Sequence, residues 1–245
     1  MDLFNSKKGF FKLPESKDYM YSYDSLSNLY KIKILNGQII HSPEFLNKKI
    51  SDRSLDYFLE NNSFDWKLVN WSNFDKERLS KVKFRNICWQ HDKIKMFGKE
   101  LFLPRFSAWH GDDNKVYTYS GIKLQPKKWN KGLLYIKEKI QDVCQHKFNS
   151  VLLNWYRDGS DYINWHTDAE KELGRNPVIA SVNFGATRRF LLRRKDNNKI
   201  KAEFHLTHGS LLIMQGETQH YWEHCVPKQK KINDTRINLT FRYII

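Results

Sequence analysis

From residue 150 onward the chain consists of short strand-like runs separated by turn signals, and this restricts its fold more than any other feature. The runs fall at 151–156, 178–184, 189–192, 203–206, 210–214 and 235–243. Between them stand Asp158-Gly159, Gly174-Arg175-Asn176-Pro177, Asn197-Asn198, His208-Gly209 and Gln215-Gly216. Glycine, asparagine and proline at such spacing break strands and reverse the chain. Many short strands with few helices between them predict an antiparallel sandwich or jelly roll. The chain has no GxGxxG and no GxxxxGK[ST], so nothing supports a nucleotide-binding α/β fold.

Before residue 150 the pattern is different. Residues 1–30 show no clear period and are expected to be irregular. Ser42-Pro43-Glu44 reads as a helix start, with Phe45, Leu46, Ile50 and Phe58 as a loose apolar stripe ending near Asn61-Asn62. Pro126 is expected to open a second helix, whose apolar face is Trp129, Leu133, Ile136, Ile140 and Val143.

Composition narrows the class. The 245 residues include 36 aromatics, against disorder, and only three cysteines, at wide spacing. A disulfide scaffold and a cysteine-rich zinc site are set aside, and a reducing compartment is the simplest expectation. MDLFNSKKGFF has no apolar leader core, and the longest apolar stretches are far short of a membrane span. The protein is therefore expected to be intracellular, in nucleus or cytoplasm, neither secreted nor membrane-bound. The net charge is +15, and residues 61–245 hold 33 Lys/Arg against 19 Asp/Glu. An excess spread through the folded part, among aromatics, suits a polyanion-binding surface.

The chemistry-bearing residues are sparse. His166-Thr167-Asp168 places two ligand types at i and i+2 of an extended segment, where both point the same way. His110-Gly111-Asp112 has the same form, so the motif alone says little. His224 lies downstream, with His220 four residues before it as a rival. Two histidines and one carboxylate on a β scaffold form a facial triad, which leaves open positions on an octahedral iron. The segment 236–242 then alternates strictly: Arg236, Asn238, Thr240 and Arg242 on one face, Ile237, Leu239 and Phe241 on the other. Arginine is the preferred fork for a carboxylate, and two beside an iron site suit a dicarboxylate. Asn154 and Tyr156 form a further polar pair on one strand face.

Asn154-Trp155-Tyr156-Arg157-Asp158-Gly159, His166-Thr167-Asp168, Ser181-Val182-Asn183-Phe184-Gly185-Ala186, His224-Cys225-Val226-Pro227 and Arg236 to Arg242 as RINLTFR occur in that order. Together they resemble the AlkB family of iron(II)/2-oxoglutarate-dependent nucleic-acid dealkylases, most closely its animal DNA-repair members. The resemblance runs from about residue 33 to the end and is strong after 95. It implies an α+β, mainly β fold: a double-stranded β-helix (jelly roll) core with flanking N-terminal helices. The expected organisation is an N-terminal extension (1–32), a helical and extended support with an insertion (33–94), and a recognition lid with the dioxygenase jelly roll (95–245).

The resemblance implies that His166, Asp168 and His224 ligate iron(II), with 2-oxoglutarate and O2 as co-substrates. Arg236 would reach the iron-proximal carboxylate of 2-oxoglutarate or steer the site. Arg242 would hold the distal carboxylate, helped by Asn154, Tyr156, Asn238 and Thr240. In Tyr117-Thr118-Tyr119-Ser120-Gly121, Tyr119 would stack on a flipped base, with Tyr117 and Ser120 nearby. Met96-Phe97-Gly98 resembles the hydrophobic finger that fills the gap a flipped base leaves. Arg193-Arg194-Lys195 and Lys228, Lys230 and Lys231 would grip phosphates. Ala169 stands where the DNA-repair relatives carry an acidic residue near the base. The implied function is repair of N1-methyladenine and N3-methylcytosine in DNA by oxidative demethylation, releasing succinate, CO2 and formaldehyde. RNA demethylation, or the same chemistry on a protein or small molecule, is the alternative. A monomer acting on DNA, duplex somewhat favoured, or on RNA is expected.

Overall fold

The computed structural model describes residues 9–71, 77, 79, 81–96, 99–113, 117–119 and 122–245, with the backbone alone at 94–96, 99–100, 117–119 and 122–124. In chain order the elements are β1 (Phe11–Lys12), β2 (Met20–Asp24), β3 (Leu29–Ile34), β4 (Gly37–Ser42) and α1 (Lys48–Leu59). Next come β5 (Lys93–Met96), β6 (Lys99–Phe102), β7 (Phe106–Gly111), β8 (Tyr117–Tyr119), β9 (Ile122–Leu124) and α2 (Lys131–Cys144). The C-terminal part holds β10 (Ser150–Tyr156), β11 (Ile163–His166), β12 (Ile179–Gly185), β13 (Arg188–Arg194) and β14 (Lys201–Leu206). It ends with β15 (Leu211–Gln215), the one-turn α3 (Thr218–Tyr221), β16 (Trp222–Val226) and β17 (Arg236–Arg242).

Two antiparallel sheets form the jelly roll. The larger has the order β2-β3-β4-β15-β12-β17-β10-β7, and the smaller β1-β14-β13-β16-β11. One apolar core lies between them, with Ile32, Ile39, Leu152, Ile179 and Leu212 from the larger sheet against Phe190, Leu192, Phe204, Leu206 and Trp222 from the smaller. A second core covers the larger sheet's other face, where Leu153, Val182, Phe184, Leu239 and Phe241 meet Leu55, Phe58 and Leu59 of α1 and Leu133, Ile136 and Ile140 of α2. The centre of the larger sheet is thus buried on both faces. That is why β10 and β17 are buried at every position despite their polar residues.

Three local expectations are corrected. Residues 11–34, expected in large part to be irregular, supply β1, β2 and β3, which pair into the two sheets. β1 is two residues long and pairs with the distant β14, but β2, β3 and β4 pair with one another in chain order. The alternation of Tyr30, Ile32 and Ile34 with Lys31 and Lys33 is a period-2 signal that the sequence reading passed over. The first helix does not start at Ser42, which ends β4 and pairs with Leu211. It starts at Lys48, where Asn47 caps it by accepting from Ile50 N at 3.0 Å. The second helix starts at Lys131 and not at Pro126, with Asn130 accepting from Leu133 N at 3.0 Å. Lys127 instead bonds to Trp109 and Gly111, which keeps the preceding segment extended beside β7. At both helix starts, pairing with a strand outweighs the apparent local start signal.

Candidate active site

At one end of the space between the sheets lies a narrow cavity. It is lined by Asn154, Tyr156, His166, Asp168, His224, Arg236, Asn238, Thr240 and Arg242, together with Ile163, Ser181, Phe190, Met214 and Val226. A wider surface groove of about 500 Å³ lies elsewhere, beside α1. Its Asp56 and Glu60 are ion-paired with Lys67 and Arg85.

The cavity's polar residues come from five strands, β10, β11, β12, β16 and β17, and from the segment just past β11. β17 is hydrogen-bonded to β12 on one side and β10 on the other. Its alternation therefore sends Arg236, Asn238, Thr240 and Arg242 toward the cavity and Ile237, Leu239 and Phe241 into the helix-side core. Asn154 and Tyr156 stand beside them on β10, in register with Asn238 and Arg236. On the smaller sheet, His166 of β11 faces His224 of β16, with ring centroids 4.2 Å apart.

His166, Asp168 and His224 offer ligand atoms that all lie within 4.8 Å of one another. His224 Nε2 is 3.7 Å from Asp168 Oδ2. Ligand atoms held at about 2.1 Å from one ion sit at most about 4.2 Å apart, so small side-chain shifts close the set around a metal. His166 Nδ1 donates to Asn164 O at 2.8 Å, which leaves Nε2 for coordination. Burial lowers the pKa of His166, and with the help of His166 pushes His224 down to about 3. Both rings are thus held neutral, the form that binds metal. Burial alone would raise the Asp168 carboxyl, but the Arg242 guanidinium beside it overcomes this and brings it to about 2. A charged carboxylate flanked by two neutral imidazoles fits a divalent cation.

The same geometry reverses the expected polarity of the two arginines. Arg242 Nη2 donates to Asp168 Oδ1 at 2.7 Å, so Arg242 stands at the metal end. Arg236 lies at the other end, donating from Nη2 to Asn183 Oδ1, with its guanidinium over the Tyr156 ring at 4.9 Å. Arg236 is 1% exposed, and its Nε and Nη1 have no hydrogen-bond acceptor in line among the described residues. Burial, with Arg188 nearby, lowers its pKa to about 10, so it stays charged at neutral pH. A buried guanidinium with unsaturated donors suits a bound carboxylate. Asn238 and Thr240 build the floor. Asn238 Nδ2 donates to Ser181 Oγ at 2.7 Å, and Thr240 Oγ1 donates to Asn238 Oδ1 at 2.9 Å.

The other candidates divide. His220 pairs with Asn176 Oδ1 at 2.8 Å on the surface, outside the triad. His110 bonds Lys128 O and Asp112 accepts from Trp129, so the second His-x-Asp is structural. Arg193 and Arg194 are already engaged, with Glu223 and Asp196 respectively, and Lys195 Nζ bonds Gln219 O. The expectation that this run grips phosphate is therefore corrected. Lys228, Lys230 and Lys231 remain exposed on the loop before β17. That loop is fixed by backbone bonds between Gly159 and residues Gln229 and Ile232. A Cβ at Gly159 would lie 1.9 Å from Gln229 O, so only glycine permits the approach. Tyr117 and Tyr119 lie in the β8–β9 hairpin and Met96 at the end of β5. Their side chains, and Phe97, Gly98 and Ser120, lie outside the described residues.

Two polar residues escaped the sequence reading. Arg105 is buried, donates to Asn154 Oδ1 at 2.8 Å, and lies close enough to His166 to disfavour its protonation. Gln219, also buried, accepts from Asp168 N at 2.8 Å. Neither belongs to a motif. Only the position of Arg105 just before the strand-like FSAWHG could have hinted at it.

A jelly roll with two histidines and a carboxylate at one end, beside a pair of buried arginines, defines a class of oxygenase. The family model of the 2OG-Fe(II) oxygenase superfamily matches residues 38–242. Alpha-ketoglutarate-dependent dioxygenase alkB homolog 3 of Bos taurus is 45% identical over 150 residues, covering 58% of this chain and 52% of that protein. DNA oxidative demethylase ALKBH2 of Mus musculus is 41% identical over 160 residues, covering 62% and 67%. The ALKBH2 of Arabidopsis thaliana is 36% identical over 187 residues. The chain belongs to the 2OG-Fe(II) oxygenase superfamily and, within it, to the AlkB family. It spans about half to two-thirds of the length of these curated relatives. The solved structure of OsALKBH1 shares the fold, with a TM-score of 0.53 at 14% identity, covering 86% of this chain and 99% of that one. Membership implies iron(II), 2-oxoglutarate and O2. Among the described residues no helix is long and apolar enough to cross a membrane.

Proposed function

We propose that the chain is an iron(II)/2-oxoglutarate-dependent dioxygenase that demethylates alkylated bases in DNA. The observation that carries this reading is the His166, Asp168, His224 cluster at one end of a cavity whose other end holds Arg236. The relatives named DNA oxidative demethylase supply the substrate class. When bound, iron(II) with 2-oxoglutarate and O2 supplies the oxidising power to hydroxylate an N-methyl group, which then leaves as formaldehyde.

The residues divide the remaining work. His166, Asp168 and His224 hold the metal. Arg242 keeps the Asp168 carboxylate charged, and it would face the end of 2-oxoglutarate nearer the metal. Arg236, stacked on Tyr156, takes the distal carboxylate. Asn154, Asn238 and Thr240 line the wall between these ends. Phe190, Ile163 and Val226 make the metal side apolar and keep water out. Tyr117, Tyr119 and Ser120 are the candidates to hold the extruded base, and Met96, Phe97 and Gly98 to fill its gap in a duplex. Lys228, Lys230 and Lys231 are the candidate phosphate grip.

The test is a panel of N1-methyladenine and N3-methylcytosine in single- and double-stranded DNA and RNA, with iron(II) and 2-oxoglutarate, read as formaldehyde release. The expected result is turnover on DNA that is lost in His166→Ala. Turnover on RNA alone would move the substrate class. No turnover on any methylated strand would overturn the reading.

A further inference from the structure

Asp168 lies two residues past the end of β11, where the ladder to β16 has ceased. Its backbone N–H is nonetheless buried, and a buried N–H without a partner is costly. The hydrogen bond it makes is to Gln219 Oε1, at 2.8 Å and 51 residues away. Gln219 is 1% exposed and sits in the single turn of α3, directly before the strand that carries His224. Its Nε2 points at Met214 Sδ, 3.4 Å away, and Met214 lines the cavity. Its backbone carbonyl accepts from Lys195 Nζ at 3.2 Å, which pins the turn itself. One side chain therefore links the Asp168 segment, the turn leading to His224 and the cavity wall.

We propose that Gln219 is a positioning residue for the metal carboxylate. Its amide oxygen replaces the missing ladder acceptor and fixes the backbone of Asp168, so that the carboxylate stays between Arg242 and the two histidines. Without that acceptor the segment after β11 can rotate. Asp168 would then remain on Arg242, its 2.7 Å partner, and turn away from His224. The inference rests on the proposed metal role of His166, Asp168 and His224. Groups that orient a metal ligand in this way typically alter affinity by about 10–100-fold.

The test uses Mn(II), a redox-stable stand-in for iron, titrated into the full chain with and without 2-oxoglutarate and followed by electron paramagnetic resonance. Gln219→Met keeps the volume and removes the acceptor; Gln219→Glu keeps an acceptor oxygen. The expected result is a Kd raised about tenfold or more in Gln219→Met and held within about threefold of wild type in Gln219→Glu. Wild-type affinity in Gln219→Met, or equal weakening in both, overturns the inference. If Gln219→Met fails to fold, amide hydrogen exchange in the wild-type protein decides. Asp168 N–H must then be protected as strongly as the β16 ladder amides, and fast exchange refutes the role. Failure of the wild-type chain itself to bind Mn(II) more tightly than His166→Ala would instead overturn the metal site.

Discussion

Arg236 and Arg242 are the same residue type on the same strand face, and their neighbours give them different tasks. Arg242 donates to Asp168, while Arg236 lies at the other end of the cavity, buried against Tyr156 and Asn183. Arg236→Gln is expected to raise the KM for 2-oxoglutarate by about 100-fold, the loss of charge-assisted bonds worth about 3 kcal/mol, and to leave Mn(II) affinity nearly unchanged. Arg242→Gln is expected to tighten Mn(II) binding in the absence of 2-oxoglutarate, because a positive charge leaves and the Asp168 carboxylate is released. Steady-state kinetics and a metal titration check both, and the opposite pattern would restore the opposite polarity. The sequence made the triad and both arginines visible as types. It could not order the arginines along the cavity, because that depends on which end of β17 meets Asp168, 74 residues away. Arg105 and Gln219 stayed hidden for the same reason: each meets the site across a long stretch of chain.

At the scale of elements, strands with two buried partners were legible and very short or exposed ones were not. The runs that became β10, β12 and β17 stand out as continuous or alternating apolar stretches because both of their faces are covered. β1 is two residues long and β2 is mostly exposed, so neither carries a core pattern, whereas β3 alternates Tyr30, Ile32 and Ile34 with Lys31 and Lys33 and was legible in principle. The basic groups show a different limit. Arg193 pairs with Glu223 on the neighbouring strand, a contact that only register reveals. The loop bearing Lys228, Lys230 and Lys231 is expected to carry the salt dependence of DNA binding. Replacing all three by alanine should reduce the slope of log K against log salt by about 2–3, from about 0.9 per phosphate contact. Arg193→Gln should leave that slope unchanged. Equilibrium binding across a salt series distinguishes the two.

For the whole molecule, the core between the sheets has an acid-sensitive point. His41 is fully buried, donates from Nδ1 to Leu211 O at 2.8 Å, and has the rings of Phe11 and Phe204 nearby. Burial lowers its pKa from 6.5 to about 4. Between those values the unfolded chain takes up a proton that the fold refuses. Stability is therefore complete above about pH 6.5 and falls as the pH drops toward 4, by on the order of 3 kcal/mol. Urea midpoints at pH 7 and pH 4.5 should show this loss, and His41→Gln should shrink it.

The two halves of the site also sit at different depths in their sheets. β17, with the arginines, is flanked by strands on both sides, whereas β11, with His166, is the outermost strand of the smaller sheet and has an irregular register. Sheets open from their margins, so the edge that bears His166 breathes at a lower free-energy cost than the centre that bears Arg236. Metal exchange at the proposed site is therefore expected to need only a local opening: stripping by a chelator and reloading should succeed below the urea transition, with the anion pocket still assembled.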